Sequence, residues 1–405
     1  MALARALIAP GDLATFPSSP QFVGYVHLVT LGFLASAVYG AIYGFGPSVL
    51  RLPISERRLD FVALGLHITG TMTMAYGLAA AAPWGAAIGG SAAYLGGAWV
   101  VVRLLLGLPE SRVPRGTRTM IGTSAAFFLI AGGLGVFFAW GRIYGLPGAL
   151  DRSAVIAAHA HLATFGWLTG TLFGFGSRML PMLFATRPGT GRDLFWIAGL
   201  QGLGALGTGI AFLFLPSAVP LFALVAASAV VAFLVHVAAM FRRRVRPAVF
   251  RRGFDPTPVH AVLALAALAL ATTLGLAIAL RPESLALRRA IVPYGILALL
   301  GFLAQMVFAV VGLLAPAYAW IRRQNGTGPG ELPVALDFRA SLPFLRPVLV
   351  GWGIGFPLLA VGSYNAQWTL IRAGAVLLLV ATLASAAHLA FLALGPVERP
   401  TSPAP

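Results

Sequence analysis

The chain has 405 residues, 59% of them hydrophobic and only 10% charged, and its formal net charge of +17 rests entirely on arginine. So little charge excludes a soluble domain. The absence of cysteine excludes disulfides, thiolate metal sites and covalent heme attachment.

Apolar runs near twenty residues recur, each long enough to cross a bilayer core of roughly 30 Å. They predict about eleven spanning helices, near 22–47, 61–82, 85–107, 120–141, 154–180, 195–215, 219–241, 258–280, 291–316, 344–362 and 369–394. Breaks fall at Ala82-Pro83-Trp84, Leu215-Pro216 and Ser363-Tyr364-Asn365. The polar segment Gly326 to Pro343 reads as a surface loop. Residues 10–20 contain no signal-peptide core, so no removable targeting segment is expected.

Three of these stretches repeat one pattern. His27-Leu28-Val29-Thr30-Leu31-Gly32-Phe33 closes at Pro47, His161-Leu162-Ala163-Thr164-Phe165-Gly166-Trp167 at Pro181, and Ile296-Leu297-Ala298-Leu299-Leu300-Gly301-Phe302 at Pro316. Glycine to proline is fifteen residues each time (47−32, 181−166, 316−301), and the glycines lie 134 and 135 apart (166−32, 301−166). Internal repetition sets architecture. The expectation is an all-α polytopic membrane protein, 1–405 as a single membrane domain. Its repeats would be about 22–141, 154–280 and 291–394, in a pseudo-threefold arrangement of four-helix units with one helix missing.

Arginine alternates between loops. Segments after odd-numbered helices carry Arg51, Arg57 and Arg58; Arg112, Arg115 and Arg118; Arg187 and Arg192; Arg242, Arg243, Arg244, Arg246, Arg251 and Arg252; then Arg322, Arg323, Arg339 and Arg346. Those after even-numbered helices carry only Arg142, Arg152, Arg281, Arg288 and Arg289. The positive-inside rule then places the amino terminus outside and the carboxy terminus in the cytoplasm, in a bacterial cytoplasmic (inner) membrane. The basic excess is thereby explained without nucleic acid, and the expected partner is membrane lipid.

Helices one, five and nine all run inward. His27 and His161 fall five and seven residues into theirs, roughly 8–10 Å below the outer boundary. A buried imidazole in lipid is costly unless paired or ligating. Matched depth on neighbouring repeats suggests His27 and His161 as axial ligands of one heme iron; hydrogen-bonded core histidines are the plainer alternative. His159 points about 200° from His161 on a helix, so the two cannot share an iron. His159 serves a second heme or metal, or bonds a carbonyl at the helix start. His67, His236, His260 and His388 fall in the inner half, where a second metal site or simple hydrogen bonding would occupy them. Asp and Glu total 11 and fall in loops or tails, which weighs against a carboxylate proton relay. Gln305 is the most isolated polar side chain in a span. Arg142, Arg152, Arg288, Arg289 and Arg372 are candidates for heme propionates, since guanidinium forks suit carboxylates. Arg103 and Arg178 are expected to snorkel.

The segment Ala158-His159-Ala160-His161 through Trp167 to Pro181 resembles the His-x-His helix of heme-copper oxidase subunit I, closest to the C-type oxidases and nitric oxide reductases. Tyr25-Val26-His27 through Gly32-Phe33 to Pro47 is similar to that family's earlier low-spin heme helix. The resemblance implies three helical arcs, an axial pair His27 and His161 on a low-spin heme b, and His159 as proximal ligand of a second heme. Copper is not expected, because no His-His pair exists in the chain. The implied function is b-heme electron transfer or handling of a diatomic gas (O2 or NO), with an electron-donor cytochrome or partner subunit. If catalytic, the reaction would be an oxidoreduction of the oxidase or nitric oxide reductase type. The competing expectation is a cofactor-free transporter or scaffold subunit with structural histidines.

Overall fold

The computed structural model describes residues 19–146, 148, 150–189, 191–245, 254–324 and 341–394. Arg246, Arg251, Arg252, Arg339 and nearly all of the expected surface loop lie outside the described residues.

Eleven long helices follow in order. They are α1 (Pro20–Gly44), α2 (Arg58–Ala79), α3 (Pro83–Gly107), α4 (Arg115–Tyr144), α5, α6 (Arg192–Phe214), α7 (Val219–Met240), α8 (Pro256–Leu280), α9, α10 (Leu342–Tyr364) and α11 (Trp368–Leu394). The composite α5 joins Arg152–His161, Leu162–Thr169 and Gly170–Leu183, and α9 joins Ile291–Ile296, Leu297–Ala304 and Gln305–Gln324. Ten are long and apolar enough to cross a membrane; α5 is not among them. Its histidines, threonines and serine dilute the apolar run. The chain is an all-α, multi-pass membrane protein.

Several helices start earlier than their apolar runs because caps precede them. Ser19 accepts from the Phe22 N–H ahead of Pro20, Asp151 from the Ala154 N–H, and Asp255 from the Thr257 N–H ahead of Pro256. The expected closures at proline hold only in part. A short helix Gly46–Val49 carries Pro47 after α1 ends, but Pro181 and Pro316 lie inside α5 and α9. Proline removes one N–H and crowds one carbonyl, which a membrane helix tolerates when neighbours satisfy what is freed.

The repeat has a local signature. Each of α1, α5 and α9 contains an eight-residue π-helical stretch: Leu28–Ala35, Leu162–Thr169 and Leu297–Ala304. Their starts are 134 and 135 residues apart (162−28, 297−162). The bulged stretches of α1 and α5 each pack on that of α9, so the three repeats meet along these helices. Small residues close the outer pairs, as expected where lipid offers no hydrophobic drive. A Cβ on Gly89 of α3 would strike the backbone of Met74 in α2, and one on Gly96 that of Ala63.

Carboxylates were expected in loops and tails, yet Asp60 lies in the first turn of α2, 8% exposed and ion-paired with Arg103 of α3. Trp99 Nε1 donates to Asp60 at 2.8 Å, and Arg103 also donates to Ser55 O at 2.9 Å. Arg103 therefore does not snorkel away. Its guanidinium ties α3 to α2 and to the preceding loop.

Candidate functional site

Helical geometry places His27 and His161 at the start of the π stretches of α1 and α5. Each ring is held by its own helix: His27 Nδ1 lies 2.7 Å from Val23 O, and His161 Nδ1 lies 2.8 Å from Ala157 O. His159 reaches across to α4 instead, its Nδ1 2.8 Å from Ala131 O. Gly135, one turn further along α4, makes room for that reach. A Cβ there would lie 2.7 Å from the His159 ring.

These bonds set the tautomer. A carbonyl only accepts, so each Nδ1 carries the proton and each Nε2 keeps its lone pair. Among the described residues, no hydrogen bond reaches the Nε2 of His27, His159 or His161. A donating Nδ1 and a free Nε2 are the state in which histidine ligates a metal.

The rings meet in a pairing that differs from the expected one. His27 faces His159, with ring centroids 6.0 Å apart and planes 16° from parallel. His161 instead faces Tyr294 of α9 at 6.3 Å and 23°, with Phe212 at 5.0 Å. The repeat explains this. Tyr25, His159 and Tyr294 are equivalent positions, as are His27, His161 and Ile296 (spacings 134 and 135). In both inter-repeat gaps, the second position of one repeat faces the first position of the next. Since His159 and His161 point to opposite sides of α5, only one of them can look toward α1. The direction in which the repeats follow one another decides which.

The 6.0 Å separation of ring centres is the length that a shared metal would require. A metal–imidazole nitrogen bond is about 2.0–2.1 Å, so two imidazoles on one ion have ring centres roughly 6 Å apart. The donor set is two neutral imidazoles, which suits heme iron.

The π stretches are locked by a device that the sequence reading missed. A π turn widens the helix and opens a carbonyl to a further donor. Leu31 O lies 3.0 Å from His67 Nε2 of α2, while Phe165 O accepts from Gln201 of α6 at 2.7 Å and Leu300 O from Trp352 of α10 at 3.0 Å. The three acceptors are 134 and 135 residues apart (165−31, 300−165). Three different side chains thus perform one task, which is why no shared letter revealed it; only His67 and Gln201 keep the spacing of 134 (201−67).

The other inner histidines do not converge. Among the described residues, no three of His, Cys, Asp or Glu come together. His67 lies between Leu31 O and Ala93 O, edge-on to Tyr39. His236 meets Asp193, His388 stacks on Phe344 at 5.2 Å, and His260 lies beside Gln305. Gln305 is fully buried, and neither amide atom has a hydrogen-bond partner among the described residues.

Of the expected outer arginines, Arg142 and Arg152 come near each other, with Arg152 5.9 Å over Phe138. Neither has an ion-pair partner among the described residues. Each lies seven residues from the His159 level on its own helix (142−135 on α4, 159−152 on α5), about 10 Å along the axis. Arg288, Arg289 and Arg372 are exposed at the surface.

No family model matches the chain, and no curated protein matches its sequence.

Proposed function

We propose that this protein binds heme b between α1 and α5, with His27 and His159 as its axial ligands, and serves membrane electron transfer. Its architecture is similar to that of heme-copper oxidase subunit I. One observation carries the reading: two neutral imidazoles from adjacent repeats face each other at 6.0 Å, each oriented by a carbonyl. The cofactor would supply a one-electron couple. The protein would supply orientation: Val23 O and Ala131 O fix the rings, and Gly135 admits the His159 ring against α4. Arg142 and Arg152 would hold two carboxylates on the side toward the amino terminus of α5.

The gas-handling arm of the reading rests on His161. Its ring lies beside that of Tyr294 rather than a second imidazole, and no hydrogen bond reaches its Nε2 among the described residues. A heme held there by His161 alone would keep a position open to O2 or NO. In this reading the arginine-poor, histidine-bearing end faces outward and the arginine-rich end faces the cytoplasm of a bacterial inner membrane. An electron-donor cytochrome or partner subunit would meet the outer end.

The test is a reduced-minus-oxidised absorption spectrum of purified protein with and without carbon monoxide. Sharp α and β bands are expected, with a carbon monoxide shift that disappears in His161→Ala. A folded, colourless, iron-free protein would overturn the proposal.

A further inference from the structure

We propose that the seam between the third repeat and the first is a docking site for one membrane-spanning helix of a separate polypeptide. At each of the other two seams a fourth helix stands in that place. The fourth helix of the first repeat, α4, packs on α3 and on α5 and α6 of the next repeat. The fourth helix of the second repeat, α8, packs on α7 and on α9 and α10 in the same way. Among the described residues the third repeat has only α9, α10 and α11, and no helix joins α11 to α1 and α2. The site stands apart from the histidine pair and needs no heme.

Equivalent residues show what that place is shaped to hold. Gly166 and Gly174 of α5 lie against α4: a Cβ on the first would be 2.8 Å from Phe127, and one on the second 2.5 Å from Ile121. Gly301 of α9 lies against α8, where a Cβ would be 2.9 Å from Ala267. The counterparts in α1 are Gly32 and Gly40 (166−32 and 174−40 both give 134). Both are exposed; a Cβ on Gly32 would meet only Thr71 of α2, at 3.9 Å, and one on Gly40 nothing within 4 Å. The second helix of the repeat agrees. Phe195 of α6 lies under the Arg115 guanidinium of α4 and is 37% exposed, whereas its counterpart Phe61 of α2 (195−61 is again 134) is 65% exposed. Gly202 of α6 lies against Thr123 of α4, a Cβ there 3.2 Å away, and its counterpart Ile68 (202−68) is exposed. The seam keeps the small residues along α1 and lacks the side chains that cover them at the other two. In lipid, close backbone approach at small residues is what draws helices together.

The two seated helices define the occupant. Gly135 of α4 stands eight residues beyond Phe127 and gives room to His159; Gly275 of α8 stands eight residues beyond Ala267 and gives room to Tyr294 (135−127, 275−267). Tyr25 is the third member of that set, and it makes no hydrogen bond or ring contact among the described residues. The occupant is therefore an apolar helix antiparallel to α1, with a small residue facing Tyr25 eight positions beyond the residue that covers Gly32. It comes as a lone rod, because α4 and α8 are each wrapped by neighbours from two repeats. The spans of a second copy are tied to one another, as α2 is to α3 and α10 to α11; such a bundle offers a broad face rather than a rod.

The test uses the full chain in its native membrane. A benzophenone amino acid is placed at Phe61 or Ile68 and, as lipid-facing controls, at Val231 or Leu270, both exposed. Ultraviolet light should join both seam positions to one polypeptide of the same mass, and neither control to it. Peptide mapping should place the new bond in an apolar span of a different sequence. Gly40→Phe should abolish the adduct by filling the place the helix would take. The same purified variant should unfold at the parent's temperature, because nothing stands near that Cβ. If Gly40→Phe does not fold, Gly32→Leu carries the comparison. Lipid adducts alone at all four positions, a cross-linked peptide from this same sequence, or an adduct that persists in the folded variant overturns the proposal.

Discussion

Backbone carbonyls decide what His27, His159 and His161 can do. Because Val23 O, Ala131 O and Ala157 O each take the Nδ1 proton, each Nε2 is left as a base. His27→Ala and His159→Ala should each abolish heme retention at the first gap, read as heme per polypeptide. Gly135→Val should do nearly the same without touching a ligand, since its side chain would drive into the His159 ring. Heme content equal to the parent in Gly135→Val would refute the role given to that glycine. The sequence marked all three histidines, because a repeat at 134 residues put two of them in register. It did not reveal which pair meets. That depends on the direction in which the repeats follow one another, and periodicity within one helix carries no information about its neighbour's side.

At the level of elements, the π stretches of α1, α5 and α9 show why conserved geometry can hide from letters. The carbonyl at equivalent positions is met by an imidazole, an amide and an indole nitrogen. Replacing Gln201 with Leu would leave Phe165 O and Gly166 O buried without that donor, a cost of about 1–3 kcal/mol. The expected result is a lower unfolding midpoint and faster hydrogen exchange across 162–169 than elsewhere in α5. Exchange unchanged in that stretch would mean that the donor does not hold the bulge. The Asp60–Arg103 pair was hidden for another reason. Hydropathy began α2 after Asp60, because one carboxylate in the first turn looks like loop until its partner on α3 is seen. Asp60→Ala should cost about 3 kcal/mol by stranding Arg103, and removing both charges should cost less than removing one. Equal losses in the single and double variants would contradict an energetic pair.

Across the whole molecule, ten of the eleven long helices were readable from length and hydropathy, and the remaining one, α5, from the sequence repeat. The early starts of α2, α4 and α6 were not, since their polar first turns lie outside the apolar run. The proposed sidedness follows from arginine alone. The chain has no cysteine, so single introduced ones report cleanly. A membrane-impermeant thiol reagent applied outside intact cells should label Ser217→Cys, between α6 and α7, and spare Ser55→Cys, before α2. The reverse pattern would invert the proposed orientation.

The most direct measurement is the near-infrared magnetic circular dichroism of the ferric protein and three variants. A bis-imidazole band should be present in the parent and in His161→Ala, and absent in both His27→Ala and His159→Ala. Its loss in His161→Ala together with its survival in His159→Ala would contradict the pairing of α1 with the first histidine of α5.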